Sequence, residues 1–143
     1  MNRRGFLAGC FDPFPHPGYI LAMREVIENN RCDTIIIGLH INPIEERPTK
    51  SPVYCSPKER RTMLEAIRYV SHIVNYNSEE QLYNLLKNLK PELRILGEDY
   101  QNKPYTGDDL NIPVYYTSRQ HNYSATQFRD RIKNNEYWSP GTE

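Results

Sequence analysis

The sequence has no excess of charge of either sign: its 18 lysines and arginines are matched by 18 aspartates and glutamates. That balance removes the global field by which a protein gathers nucleic acid or an anionic bilayer, so any anion site has to be local. Long apolar runs are missing too. The opening MNRRGFLAGCFDPF carries two arginines but no stretch of the length that a signal peptide or a membrane span requires. Cysteine is scarce and odd in number, and the wide spacing of Cys10, Cys32 and Cys55 suits reduced thiols in a cytosol better than a disulfide framework. The expectation is a soluble, cytoplasmic protein with no membrane or nucleic-acid partner. Neither GxxxxGK(S/T) nor GxGxxG occurs, which excludes the two common phosphate cradles. No internal repeat and no low-complexity segment interrupts the chain.

What is present fits one core. A chain of 143 residues is long enough for a single domain and too short for two ordinary ones, and residues 1–135 are read as that domain with 136–143 as a tail. Apolar runs alternate with helical patterns, the signature of a parallel sheet with crossover helices. A short strand is predicted over 5–9 and a buried one over 33–39, DTIIIGL, with a helix over 20–29 between them. Ser56-Pro57-Lys58-Glu59 places a capping hydroxyl, a proline and a glutamate at the start of a helix predicted to run to about Tyr69. A strand over 72–76 follows. A helix then starts at Ser78 and sets Leu82, Leu85, Leu86 and Leu89 on one face. Strands are predicted from Leu93 and from Ile112, and a last helix from near Ser124. The fold class is therefore α/β, an open five-stranded parallel sheet with helices on both faces. Two long loops, 41–55 and 98–111, are of a length that in small domains goes with function or disorder.

The first of the unusual stretches is GCFDPFPHPGY, residues 9–19, directly after the first strand. In an open α/β sheet, ligands bind beyond the carboxyl ends of the strands, and this loop sits there. Gly9 allows a sharp exit from the strand, and Gly18 allows close approach where the amides of a helix start are unpaired and its dipole favours an anion. His16 stands beside that start. Taken alone, the stretch reads equally as a phosphate clamp or as a stiff connection.

Gly9, Phe11, Asp12, His16 and Gly18, together with Ser124-Ala125-Thr126 at the last helix, resemble the two signatures of the cytidylyltransferase-type nucleotidyltransferases, GxFDxxHxGH and an S/T-rich helix start. The chain is most similar to their glycerol-3-phosphate cytidylyltransferase branch, with ERRTMLEAIRYVSHIV and KPELRILGEDYQNKPY extending the likeness over residues 6–132. It departs in two places: Pro15 is an extra residue before His16, and Tyr19 stands where the family has a second histidine.

The resemblance implies a Rossmann-like fold and transfer of a nucleotide from a nucleoside triphosphate to a small phosphorylated acceptor, with release of pyrophosphate. His16, Tyr19 and Arg119 would carry catalysis. Gly9, Cys10, Phe11, Asp12, Gly18, Gly97, Glu98, Asp99, Ser124, Ala125 and Thr126 would bind the nucleotide. Ser124 and Thr126 would hold the β- and γ-phosphates. Asp12 would support the loop or orient His16, and Arg47, Lys50, Arg60 and Arg129 would reach a phosphate or the acceptor. Read from the residues themselves, Arg60 is equally a surface arginine, and Arg129 equally a partner of Asp130 or Glu136. Magnesium would arrive on the triphosphate, leaving little protein signature. No protein-held metal is expected, because His40, His72 and His121 have no ligand spacing to a cysteine.

CTP with glycerol 3-phosphate is the leading expectation. An adenylyltransferase acting on ATP and a sugar phosphate or related acceptor is the alternative, and Tyr19 keeps open a nucleotide-binding protein with weakened catalysis. A side-by-side homodimer is implied by the same resemblance.

Overall fold

The computed structural model describes residues 2–46 and 52–141. Its strands are β1 (Arg4–Gly9), β2 (Thr34–His40), β3 (Val70–Tyr76), β4 (Leu93–Gly97) and β5 (Val114–Thr117). They form one parallel sheet in the order β3-β2-β1-β4-β5. The chain first winds outward from β1 to β3 and then crosses back to β4, so strand order reverses between β1 and β4. A crevice opens at such a point beyond the strands' carboxyl ends.

The helices are α1 (Pro17–Glu28), α2 (Pro43–Glu46), α3 (Pro57–Glu65), α4 (Glu79–Leu89) and α5 (Ala125–Lys133). Side chains alternate across a strand, so odd and even positions build two cores. Leu7, Ile35, Ile37, Leu39, Leu93 and Ile95 bury against Met23 and Val26 of α1 and Leu64 of α3. Phe6, Ile36 and Tyr76 bury on the other face against Leu82 and Leu86 of α4, with Leu85 and Leu89 partly covered beside them. Gly38 makes room on that second face: a Cβ there would lie 2.6 Å from the fully buried Phe6 ring.

Helix ends follow local chemistry. Ser56 and Glu59 form the expected capping box, and Ser78 accepts the N–H of Gln81. At the other end of α4, Lys90 turns left-handed with φ 48°, and the Arg4 guanidinium takes the carbonyls of Leu89 and Lys90.

Four boundaries differ from expectation. Helix α1 begins three residues earlier than predicted, because His16 itself caps it and Pro17 takes the first helical position. Helix α3 stops at Glu65, where Ile67 and Tyr69 turn in to pack on the core and β3 starts already at Val70. The 41–55 loop contains the short α2, and the 98–111 loop contains two single 3-10 turns, Glu98–Tyr100 and Asp108–Leu110. Strand β5 begins at Val114, after Pro113, whose carbonyl receives the Arg94 N–H at 2.7 Å. No described helix is long and apolar enough to cross a membrane. Beyond α5, Tyr137 and Trp138 are 84% and 61% exposed.

Arg60 corrects the sequence reading outright. It is neither on the surface nor directed at a ligand, since its exposure is 0%. Its Nε donates to Cys55 O (3.0 Å), Nη1 to Cys10 O (3.0 Å) and His40 O (2.7 Å), and Nη2 to Ile41 O (2.6 Å). Four of its N–H groups thus collect carbonyls at the ends of β1 and β2 and before α3. Replacing it by Leu, Arg60→Leu, strands those carbonyls, and each buried unsatisfied group costs about 1–3 kcal/mol. Urea unfolding is expected to show a loss of at least about 3 kcal/mol.

Candidate active site

A cleft of about 560 Å³ opens at the β1/β4 reversal. Its mouth is walled by Gly9, Cys10, Phe11 and Asp12 of the first loop, Tyr19 of α1, Gly97 and Asp99 after β4, Arg119, and Ala125 and Arg129 of α5. Its inner part runs along the α4 face of the sheet past Ala8, Leu96, Arg94, Tyr76 and Glu79.

The starts of α1 and α5 come together at the mouth. Phe128 of α5 meets Phe14 edge-on at 5.3 Å and lies over the His16 ring at 5.9 Å. Arg129 Nη1 donates to Asp12 O at 3.2 Å and Nη2 to Thr126 Oγ1 at 3.3 Å, so Arg129 pairs with neither Asp130 nor Glu136 and instead ties α5 to the first loop. Ser124 caps α5 through Gln127 N–H at 3.2 Å. Of the α5 start, Ala125 and Arg129 line the wall, while Ser124 and Thr126 stand just outside it.

His16 is 5% exposed and sits behind Tyr19, their ring centres 4.6 Å apart, with Phe11 against the other side of Tyr19 at 4.4 Å. The Gly18 N–H donates to His16 Nδ1 at 3.0 Å, which leaves the neutral ring's proton on Nε2. Burial, then His121, then Arg119 push the His16 pKa down to about 4. Gly18 is what lets these rings gather: a Cβ there would fall 2.8 Å from His16 and 2.9 Å from His121. Tyr19 reaches forward, its hydroxyl 3.2 Å from where a Gly9 side chain would begin. Burial raises its pKa, so the phenol stays a neutral hydrogen-bond donor. Arg119 is held by Asp99 (Nε to Oδ1 3.7 Å), and its N–H donates to Glu98 Oε1 at 2.9 Å. The mouth therefore presents donors and positive charge held in place by the fold, an arrangement made to receive an oxyanion.

Asp12 does not orient His16. Its buried carboxylate accepts the N–H groups of Tyr54 (3.0 Å) and Cys55 (2.8 Å) and so pins the start of α3 to the first loop. Arg47 and Lys50 lie outside the described residues. Two features escaped the sequence reading. Phe11 holds φ at 57°, a left-handed backbone that is costly for an aromatic residue and that buries its ring to 1% exposure under the mouth. Arg94 is buried in the cleft's inner wall, and its signal was available as one arginine inside the apolar strand LRILG.

A family model described as cytidylyltransferase-like matches residues 6–132, which contain both helix starts and the cleft. The chain belongs to the cytidylyltransferase-like family. Its relatives include the Bifunctional protein HldE of Campylobacter fetus, 27% identical over 131 residues that make up 90% of this chain and 27% of that protein. The protein of the same name from a Caulobacter species is 31% identical over 108 residues, 74% of this chain and 21% of the relative. The chain thus spans about a quarter of the length of these relatives. Among solved structures, a lipopolysaccharide core biosynthesis protein from Thermoplasma volcanium shares the fold with a TM-score of 0.62 at 18% identity, over 82% of this chain and 96% of that one.

The low pKa of His16 has a defined consequence for stability. Between pH 6.5 and about 4 the unfolded chain binds a proton that the folded ring refuses, so stability falls as pH is lowered through that window. In His16→Asn the new side chain still caps α1 but does not titrate. The difference in Tm, wild type minus variant, is expected to shrink as pH drops from 7 to 4; a constant difference would contradict the assigned state of the ring.

Proposed function

We propose that this protein is a nucleotidyltransferase that transfers the nucleotidyl group of a nucleoside triphosphate to a small phosphorylated acceptor. The observation that carries the reading is the meeting of two helix starts with Tyr19, Arg119 and Arg129 around one cleft mouth, within the span matched by the family. Similarity to the HldE proteins favours ATP and a sugar phosphate over the CTP and glycerol 3-phosphate first expected from the glycerol-phosphate branch.

In this reading an oxygen of the acceptor phosphate attacks the α-phosphorus. One P–O bond forms, the bond to the bridging oxygen of pyrophosphate breaks, and pyrophosphate departs with the electron pair. No protein nucleophile takes part, so the chain supplies position and charge. Tyr19, Arg119 and Arg129 donate to phosphoryl oxygens from the wall, and the first-turn amides of α5 face the triphosphate, whereas at α1 the Gly18 N–H is taken by His16 Nδ1 and those of Tyr19 and Ile20 by the His16 carbonyl. His16 acts from one ring behind: it fixes Gly18 through Nδ1 and keeps its Nε2 proton for an anion. Burial, His121 and Arg119 oppose protonation of the ring, and a bound phosphate would offset the part due to His121 and Arg119. Magnesium enters as part of the nucleotide substrate, on its phosphate oxygens.

Pyrophosphate release measured with ATP and CTP, each against sugar 1-phosphates and glycerol 3-phosphate, tests the reading. Turnover is expected with ATP and a sugar phosphate. CTP-only turnover would return the glycerol-phosphate reading, and tight nucleotide binding with no turnover of any acceptor would make the protein a non-catalytic binder. Tyr19→Phe keeps the packing against Phe11 and His16 but removes the donor, and kcat is expected to fall by roughly a hundredfold, the scale for losing one such group. Ser124→Ala should cost about 1 kcal/mol of stability through the lost cap and should also weaken triphosphate binding, which equilibrium titration with the nucleotide would read.

A further inference from the structure

Arg94 leaves the sheet on the α4 face, where the inner part of the cleft lies, and is only 4% exposed. The faces of its guanidinium are covered by aromatic rings, Phe6 at 5.8 Å and Tyr105 at 5.4 Å. Nη1 donates to Thr106 O at 2.6 Å, a carbonyl presented by a turn in which Gly107 has φ 88° and a Cβ would lie 3.3 Å from the same nitrogen. Nε, buried, has no hydrogen-bond partner among the described residues. The Nε–Nη2 edge is the one that grips an oxyanion with two parallel bonds, and here it is the edge that neither ring nor carbonyl occupies.

Among the described residues no carboxylate forms an ion pair with the guanidinium. Glu79 of α4 is the carboxylate lining this compartment; it accepts the Thr106 hydroxyl at 2.6 Å and forms no ion pair with Arg94. Tyr76 and Tyr105, each with its pKa raised by burial, face the guanidinium as neutral phenols. Burial lowers the pKa of Arg94, with Tyr105, Tyr76 and Glu79 only opposing that shift. A buried cation with no carboxylate paired to it is costly for a fold to keep, and a ligand that brings the opposite charge offsets that cost.

Arg94 also lies at a telling depth. It precedes Gly97, at the cleft mouth, by three strand residues, roughly 10 Å at ~3.3 Å per residue. That is the span of a phosphorylated six- or seven-carbon sugar rather than a three-carbon polyol.

We propose that Arg94 forms the far end of the acceptor subsite and selects a sugar phosphate carrying a second oxyanion, a carboxylate or a phosphate, at the end remote from the attacking phosphate. This rests on the nucleotidyltransferase reading above.

Three probes of one skeleton separate the chemistries: glucose 1-phosphate with a neutral hydroxymethyl at its far end, glucuronic acid 1-phosphate with a carboxylate, and glucose 1,6-bisphosphate with a phosphate. Binding is measured by calorimetry, after titration with ATP and with CTP alone. Wild-type protein is expected to bind at least one of the two acidic probes about tenfold or more tightly than glucose 1-phosphate, the size of one charge-assisted contact. Arg94→Met should remove that preference while leaving nucleotide affinity unchanged, which also shows that the variant is folded; Arg94→Lys should keep part of it. Equal affinity for all three probes, or no binding of the acidic two while the nucleotide binds, overturns the proposal and leaves the parent reading intact. Retention of the preference in a folded Arg94→Met overturns it as well. Failure of both nucleotides to bind brings down the parent reading and this inference together.

Discussion

The carboxyl-end rim of the sheet depends on a buried cation. Strands β1 and β2 both stop at that rim, and the carbonyls at and just past their ends are met by a side chain. Arg60 reaches in from α3 and satisfies Cys10, His40, Ile41 and Cys55 with one planar group. Asp12 performs the complementary task with the N–H groups of Tyr54 and Cys55. Between them, a guanidinium and a carboxylate fasten the first loop to the approach to α3. Phe11 can hold its left-handed backbone because that frame fixes it on both sides. The mouth of the cleft is therefore rigid before any ligand arrives, which is the condition for electrostatic stabilisation without reorganisation.

On this frame the site gathers positive and donor groups and keeps its carboxylates occupied. Asp99 steadies Arg119, Glu98 takes an amide, and Asp12 serves the backbone. His16 and His121 are brought within reach of one another only because position 18 has no side chain. Burial, seconded by the nearby His121 and Arg119, keeps the ring of His16 neutral, which preserves the cap of α1 as well as a proton on the outer nitrogen. One residue thereby links the folding of a helix to the readiness of the site.

Much of this was legible in the sequence because it rests on short-range chemistry. The serine caps of α3 and α4, the buried runs of β2 and β4 and the leucine face of α4 are local patterns, and the structure reproduces each. The juxtaposition of residues 9–19 with the last helix was legible only through the two separated motifs taken together, since nothing local links positions 117 residues apart such as Asp12 and Arg129. What escaped was set by tertiary partners. A histidine is a rare helix cap, so the start of α1 was placed too late. Arg60 on a capped helix has the pattern of a surface residue, and its burial is decided by strand ends that lie 20 and 50 positions earlier in the chain. Arg94 differs: a charge within an apolar strand contradicts its surroundings, and such a local conflict marks a place where packing alone does not explain the residue.

The embrace of the first loop by α5 has a consequence for how the protein is made. Synthesis runs from the amino end, so the His16 loop emerges early and waits, wet and uncovered, until Phe128 and Arg129 have left the ribosome. A nascent chain can assemble most of the sheet before then, yet its ligand grip is completed last. Any fragment ending short of α5 would keep the scaffold's outline and lack the clasp.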